Sequence, residues 1–152
     1  MTSEQLVLLF AGFLLFFAAT WTVAAFVISK IGGWSALAER YRMQQGTFTG
    51  WTAHFQSGRM RLTARYGGVL TVGANEMGLY LAVNPLFRAG HPPLFIPWNA
   101  IEVREGKRFF YVYTAFYFRE VPGVQLEVSQ KLAKRVLDAA GGTRRPSPLL
   151  VP

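Results

Sequence analysis

The chain has 152 residues, a formal net charge of +8 and no cysteine. This length accommodates one membrane anchor and one small domain. The lack of cysteine excludes disulfides, thiol catalysis and cysteine-ligated zinc or iron–sulfur sites.

The first element is an apolar segment long enough to cross a membrane. Residues 5–29 contain no charged side chain, and a helix of this length, at about 1.5 Å per residue, spans the roughly 30 Å hydrocarbon core. A cleaved signal peptide is the alternative, but the basic n-region is missing and the apolar run exceeds the usual length of about 7–15 residues. We therefore predict an uncleaved transmembrane helix over 5–29, with Trp21 near its middle.

Charge placement predicts the orientation of this helix. Only Glu4 precedes it, whereas Lys30, Arg40 and Arg42 follow closely. Because basic residues favour the cytoplasmic side, we expect a single-pass protein of the inner (cytoplasmic) membrane, with its N-terminus outside and its C-terminal domain cytoplasmic. A basic domain held there is expected to contact anionic membrane lipid. No nucleic acid partner is expected, because the tether keeps the domain at the bilayer.

A short amphipathic helix is predicted over 32–44. Trp34 and Tyr41 share one helical face, and Arg40 and Arg42 flank it. One interpretation lays this helix in the head-group layer, with these four residues at the membrane interface. The other packs the same apolar stripe on the domain or continues the anchor helix.

From Thr47 the apolar period changes to two, which predicts short β-strands. We place turns at residues 57–58 and 106–107. Seven strands followed by an amphipathic helix after Ser129 predict an α+β domain over 47–141, an antiparallel β-barrel or sandwich capped by a C-terminal helix. Residues 142–152 are predicted to be a disordered tail. The side chains predicted to face inward near the start of the domain are Trp51, Ala53, Phe55, Met60, Leu62, Ala64 and Tyr66.

The order of these elements resembles pleckstrin-homology (PH) and GRAM-like domains. The local similarity lies in Gly78-Leu79-Tyr80-Leu81, followed by Phe95-Ile96-Pro97-Trp98 and Ile101. The chain also looks similar to uncharacterised bacterial single-pass membrane proteins that carry such a domain. The resemblance implies a PH/GRAM-like fold over roughly 47–140 and a binding role.

Three arginines form a candidate lipid site. Arg59, Arg61 and Arg65 alternate with apolar residues, which predicts one cationic face on a single strand. In pleckstrin-like domains a basic region near the start often binds phosphorylated lipid heads, so the resemblance implies that these residues contact lipid phosphate. The alternative is a solvated outer face.

A second candidate surface is the aromatic segment Phe109–Phe118, with seven aromatic residues in ten positions. A strand with one solvent-exposed face should alternate apolar and polar side chains, whereas this segment is apolar on both faces. We therefore expect Phe110, Phe116 and Phe118 to meet a protein partner or a second copy of the chain, unless the protein itself covers them.

Chemistry of a catalytic or metal-dependent kind is not expected. His54 and His91 lack the spacing of a metal site, and no nucleophile motif is present. We predict no catalytic residue, metal or cofactor, and a membrane-anchored binding or adaptor protein. The alternatives are a structural accessory subunit of a membrane complex and an enzyme acting on lipid or envelope precursors. The enzyme would need a polar cleft near Arg88 and His91.

Overall fold

The computed structural model describes residues 1–44, 46–61, 63–142 and 147–148. The protein is α+β, with an N-terminal apolar helix, a curled sheet in which seven antiparallel strands form a half-barrel and a two-residue eighth strand pairs with its edge, and a C-terminal helix. This confirms the predicted order of elements. The elements are α1 (Ser3–Gly32), α2 (Trp34–Tyr41), β1 (Trp51–Met60), β2 (Ala64–Ala74), β3 (Gly78–Val83), β4 (Leu94–Pro97), β5 (Ile101–Arg108), β6 (Tyr111–Phe118), β7 (Gln125–Ser129), α3 (Gln130–Ala139) and β8 (Ser147–Pro148).

Helix α1 begins with a reciprocal cap. The Thr2 hydroxyl accepts a hydrogen bond from the Gln5 N–H at 3.3 Å, and the Gln5 side chain accepts one from the Thr2 N–H at 3.0 Å. At about 1.5 Å per residue the helix is about 45 Å long. Its length and mean hydropathy suit a membrane span, and a signal sequence near the N-terminus passes the same test.

Helix α2 packs on the domain. Trp34 is fully buried, and its indole N–H donates to the Pro92 carbonyl at 2.9 Å. Tyr41 is buried too, and its hydroxyl donates to Glu120 at 3.1 Å. Of the four residues predicted at the membrane interface, Trp34 and Tyr41 are therefore withdrawn into the core. The apolar stripe is satisfied by intramolecular packing, and only Arg40 and Arg42 stay exposed.

The sheet consists of two meanders, β1 to β4 and β5 to β7, which are joined where β1 pairs with β7. The strand order is β4-β3-β2-β1-β7-β6-β5-β8, and every neighbouring pair is antiparallel except β5 and β8. Helix α3 starts at its N-cap Ser129 and lays its apolar face on the inner side of the sheet. The largest fully buried side chains are Trp34, Trp98, Phe116, Phe118, Leu37, Met60, Leu70, Leu79, Leu81, Leu94, Ile96 and Leu126.

Two predicted features lie partly outside the described residues. Leu62, predicted to face inward, is one of the residues that the structure does not describe. The tail predicted over 142–152 is described only at residue 142 and at residues 147–148, which pair with β5 as β8.

The first hairpin differs from its prediction. No turn interrupts the chain at residues 57–58, because β1 continues to Met60 and the turn includes Arg61 and Thr63. The register of β1 against β2 shifts on both sides of Gln56, and Phe55 has a positive φ of 55°. Such a bulge adds a residue and reverses the inside–outside alternation. Phe55, predicted to face inward, is consequently exposed.

The hairpin of β5 and β6 is also displaced from its predicted turn. Strand β5 runs through residues 106–107 to Arg108, which pairs with Tyr111. The two-residue turn between them is Phe109-Phe110, with φ of 54° at Phe109. A left-handed phenylalanine at a hairpin turn, where glycine or asparagine is usual, gives no sequence signal for a turn.

The corner between α1 and α2 predicts a steric effect that can be measured. A Cβ on Gly33 would lie 2.7 Å from Val124 Cγ2, whereas one on Gly123 would meet nothing within 4 Å, and both residues have positive φ, of 87° and 85°. We expect Gly33→Ala to lower the free energy of unfolding by about 1–3 kcal/mol more than Gly123→Ala, because only the first adds overpacking to the shared backbone cost. Denaturant titration of the full chain in detergent measures both, and equal losses would contradict a tightly packed corner.

Candidate functional site

A groove of about 1010 Å³ lies between the bulged strand β1 and the tip of the β5–β6 hairpin. We call it the basic groove, because three arginines and one carboxylate line it. Strands β1, β2 and β7 and the start of α3 supply its walls. Its lining residues are Phe55, Gln56, Ser57, Gly58, Arg59, Arg65, Gly67, Arg108, Phe109, Phe110, Tyr111, Tyr113, Glu127, Val128, Ser129 and Leu132.

Two of the three predicted arginines come together in this groove. Arg59 and Arg65 stand directly opposite each other in the pairing of β1 with β2. Within the part of the chain that the structure describes, neither forms an ion pair. Like charges that face each other across two strands are destabilising unless water or an anion separates them. The pair is therefore a site of unneutralised positive charge.

The third arginine is elsewhere, which corrects the prediction of one cationic strand face. Arg61 lies in the hairpin turn with φ of 51° and donates from Nη1 to the Ile31 carbonyl at 3.4 Å. The turn begins between Arg59 and Arg65, so the three residues cannot share a strand. Arg61 instead connects the first hairpin to the end of α1.

The carboxylate of the groove already forms an ion pair within the protein. Glu127 is buried, and Arg108 Nη1 lies 3.2 Å from its Oε2. This hydrogen bond and the charge of Glu127 raise the pKa of Arg108. The Arg108 guanidinium also lies 5.1 Å from the centre of the Tyr113 ring. Although Glu127 pairs in register with Arg59, it does not come within ion-pair distance of it.

Exposed aromatic side chains surround the groove. Phe109 is 90% and Phe110 100% exposed, and Phe55 and Tyr111 are exposed beside them. Phe116 and Phe118, predicted with Phe110 as a partner interface, are buried in the core. The turn at residues 109–110 sets the alternation of β6 so that these two side chains face inward. Only Phe110 of that set is available to a partner.

His91 is enclosed in the domain. Its Nδ1 lies 3.0 Å from the Ala89 carbonyl, and its Nε2 lies 3.0 Å from the Tyr66 hydroxyl. Since a carbonyl can only accept, Nδ1 carries the proton and Nε2 accepts from Tyr66. Burial lowers the pKa of His91 and raises the pKa of Tyr66. The histidine is thus a neutral core residue whose two ring nitrogens both have hydrogen-bond partners.

A smaller concavity of about 340 Å³ lies on the other side of Phe55. It contains Arg88 together with His54, whose Nδ1 is 3.1 Å from the Thr71 hydroxyl. Phe55 lines both concavities, so they adjoin. Among the described residues, no group of three or more His, Asp or Glu side chains could hold a metal ion.

Sequence patterning missed Arg108, Glu127 and Phe55 as members of the groove. The first two come together through cross-strand register, which single-strand periodicity does not contain. Phe55 reaches the groove through a bulge that leaves no compositional signal.

We compared the chain with protein-family models, curated proteins and solved structures, and none of them matches it.

The burial of His91 predicts a pH dependence of stability. Its pKa in the folded protein is below the ordinary value of 6.5, so the unfolded chain takes up a proton near pH 6.5 that the folded protein resists. The contribution is complete above about pH 6.5 and is lost as the pH falls below it. We expect His91→Gln to flatten the decline in unfolding free energy between about pH 7 and pH 5, and exposed His54→Gln to leave the decline unchanged. An unchanged decline in His91→Gln would contradict the assignment.

Proposed function

We propose that this chain is a single-pass, membrane-anchored binding protein whose PH/GRAM-like domain holds its basic groove against anionic lipid head groups. The observation that carries the proposal is the unneutralised pair Arg59 and Arg65, which lies in a groove surrounded by exposed aromatic side chains. Guanidinium groups bind phosphate oxygens bidentately, and aromatic side chains favour the membrane interface.

Retention of the anchor is supported by its contacts with the domain. Ala25, Ser29 and Gly32 of α1 are buried, and Trp21 donates a hydrogen bond to the Leu86 carbonyl. A signal peptide that is cleaved is not expected to pack against the mature domain. Its removal would expose the surface of the domain that α1 covers. With basic residues only after the helix, we infer an N-terminus outside and a domain on the cytoplasmic side.

The PH/GRAM-like assignment is supported by topology. Two antiparallel meanders of four and three strands, joined where β1 pairs with β7 and followed by a helix packed on the inner side of the sheet, agree with the arrangement that the sequence resemblance implies. The residues of that resemblance lie on β3, on β4, in the short 3-10 helix Trp98–Ala100 and at the start of β5.

The groove lies close to the anchor, which favours lipid as its ligand. Ala64 begins β2 and packs on Gly32 at the end of α1, where a Cβ on the glycine would be 2.8 Å from the Ala64 Cβ. Arg65 is the next residue of that strand. Because α1 already supplies residence at the membrane, lipid contact at Arg59 and Arg65 would orient the domain more than recruit it.

Protein docking is the second candidate function. It is favoured by Phe109 and Phe110, which are almost completely exposed at the hairpin tip. Exposed aromatic residues of this kind often form the centre of an interface. The partner would be a protein of the same membrane, a larger membrane complex or a second copy of the chain.

Neutralising the opposed arginines tests the lipid function. In full-length protein at low salt, Arg59→Gln with Arg65→Gln should weaken retention of anionic over zwitterionic lipid about 30-fold, at about 1 kcal/mol for each arginine. Native mass spectrometry of the protein released from vesicles of mixed composition measures the bound lipid.

The matched control is Lys131→Gln with Lys134→Gln, which removes the same charge from the exposed face of α3. It should retain lipid as the unaltered protein does. Equal losses in both variants would reduce the effect to net charge. No loss with the groove variant would reject the lipid function and leave protein docking.

A further inference from the structure

The loop between β3 and β4 runs along the second half of α1. At the end of the loop that lies nearer the N-terminus of α1, the Trp21 indole N–H donates to the Leu86 carbonyl at 2.8 Å. Further along, the Ser29 hydroxyl donates to the Gly90 carbonyl. Trp21 and Ser29 are about 12 Å apart along a helix. The loop tip, residues 85–88, therefore lies about 12 Å closer to the N-terminal end of α1 than Gly90 does.

The height of this contact brings the loop tip to lipid wherever the span ends. Residues Ser3 to Thr20, all of them described, include no buried residue. As a helix they measure about 27 Å, close to the hydrocarbon thickness. A span of that length ends at Trp21, level with the loop tip. If the span continues to Lys30, the first charged residue after it, the loop tip lies about 13 Å inside the boundary.

Many backbone polar groups of the loop form hydrogen bonds within the protein, which a loop in contact with water would not need. Prolines at three positions carry no N–H group, and the N–H groups of Leu86, Phe87 and Arg88 donate within the turn to Asn84 and Pro85. Carbonyls along the loop accept from side chains of the two helices: Leu86 from Trp21, Gly90 from Ser29 and Pro92 from Trp34. Irregular backbone at membrane depth is tolerated only when the protein satisfies its polar groups in this way.

The side chains at the tip suit the boundary of a leaflet. Leu86 is 73% exposed, and Phe87 packs on Trp21 with ring centroids 4.9 Å apart. Where the span ends at Trp21, tryptophan is favoured at this depth because its indole is amphipathic. Arg88 is exposed, and its long side chain can keep its charge among the head groups while its stem covers apolar surface.

We propose that the loop tip inserts Leu86 into the acyl layer of the leaflet on which the domain lies. The inference rests on the proposed membrane anchor. A second point of membrane contact beside α1 fixes the angle of the domain, which a single helix alone would leave free to rotate about its axis.

Depth-dependent fluorescence quenching tests the insertion. Because the chain has no cysteine, Leu86→Cys can be labelled uniquely in the full-length protein with the environment-sensitive dye NBD. The protein is reconstituted in vesicles of phosphatidylcholine and phosphatidylglycerol, with or without lipids that carry a nitroxide on the acyl chain. We expect a blue-shifted emission and several-fold stronger quenching than for Met77→Cys.

Met77 is the matched control, since it is 72% exposed at the turn between β2 and β3. Leu14→Cys, within α1, reports the span itself. Quenching at residue 14 with residue 86 no different from residue 77 would overturn the insertion and leave the anchor intact. No quenching at residue 14 would reject the anchor, and with it both the proposed function and the insertion.

Discussion

The contact between the end of α1 and the domain is the constraint on which the rest of the structure depends. An apolar helix normally offers few polar groups, yet Trp21 and Ser29 donate their hydrogen bonds to loop carbonyls. Gly32 lets the helix approach β2 so closely that a Cβ there would lie 2.8 Å from Ala64. Trp34, just beyond the corner, is buried in the same core as the strands. The segment that reads as an anchor is thus also a packing element of the domain.

This contact determines what the basic groove can do. Arg61, in the turn of the first hairpin, donates a hydrogen bond to the Ile31 carbonyl in the last turn of α1. Arg59 and Arg65 lie in the two strands that flank this hairpin turn. The groove therefore has a fixed position relative to the helix. An arginine near an anionic leaflet contributes only about 1 kcal/mol, which would hold a free domain weakly. Under the function we propose, such a contact is sufficient, because α1 already holds the domain at the surface and the contact only has to orient it.

The sequence was informative where one periodicity dominated. The long uncharged run predicted α1, the alternation after residue 47 predicted the strands, and the stripe after Ser129 predicted α3. The apolar stripe of α2 was ambiguous for a physical reason, because a membrane surface and a protein core select the same residues on a helix face. Only the packing of Trp34 and Tyr41 distinguishes them.

The errors have a common physical origin in local backbone conformation. Phe55, Arg61 and Phe109 adopt positive φ, which side chains of this size seldom do. These residues form the bulge and lie in the two hairpin turns, which is why the turns were predicted several residues away and Phe55 was predicted to face inward. The pairing of Arg59 with Arg65, and the contact of Arg108 with Glu127, follow from that register and were not predictable before it was known.

One measurement tests directly whether the anchor and the domain form a single body. Spin labels at Leu14→Cys in α1 and Val69→Cys in β2, in the otherwise cysteine-free chain, report the distance between the two parts by pulsed electron resonance in lipid nanodiscs. We predict one narrow distance distribution, because Trp21, Ser29 and Gly32 hold the helix against the domain. A broad distribution, as a free hinge at Gly33 would produce, would contradict it, and so would a mature chain that lacks residue 14.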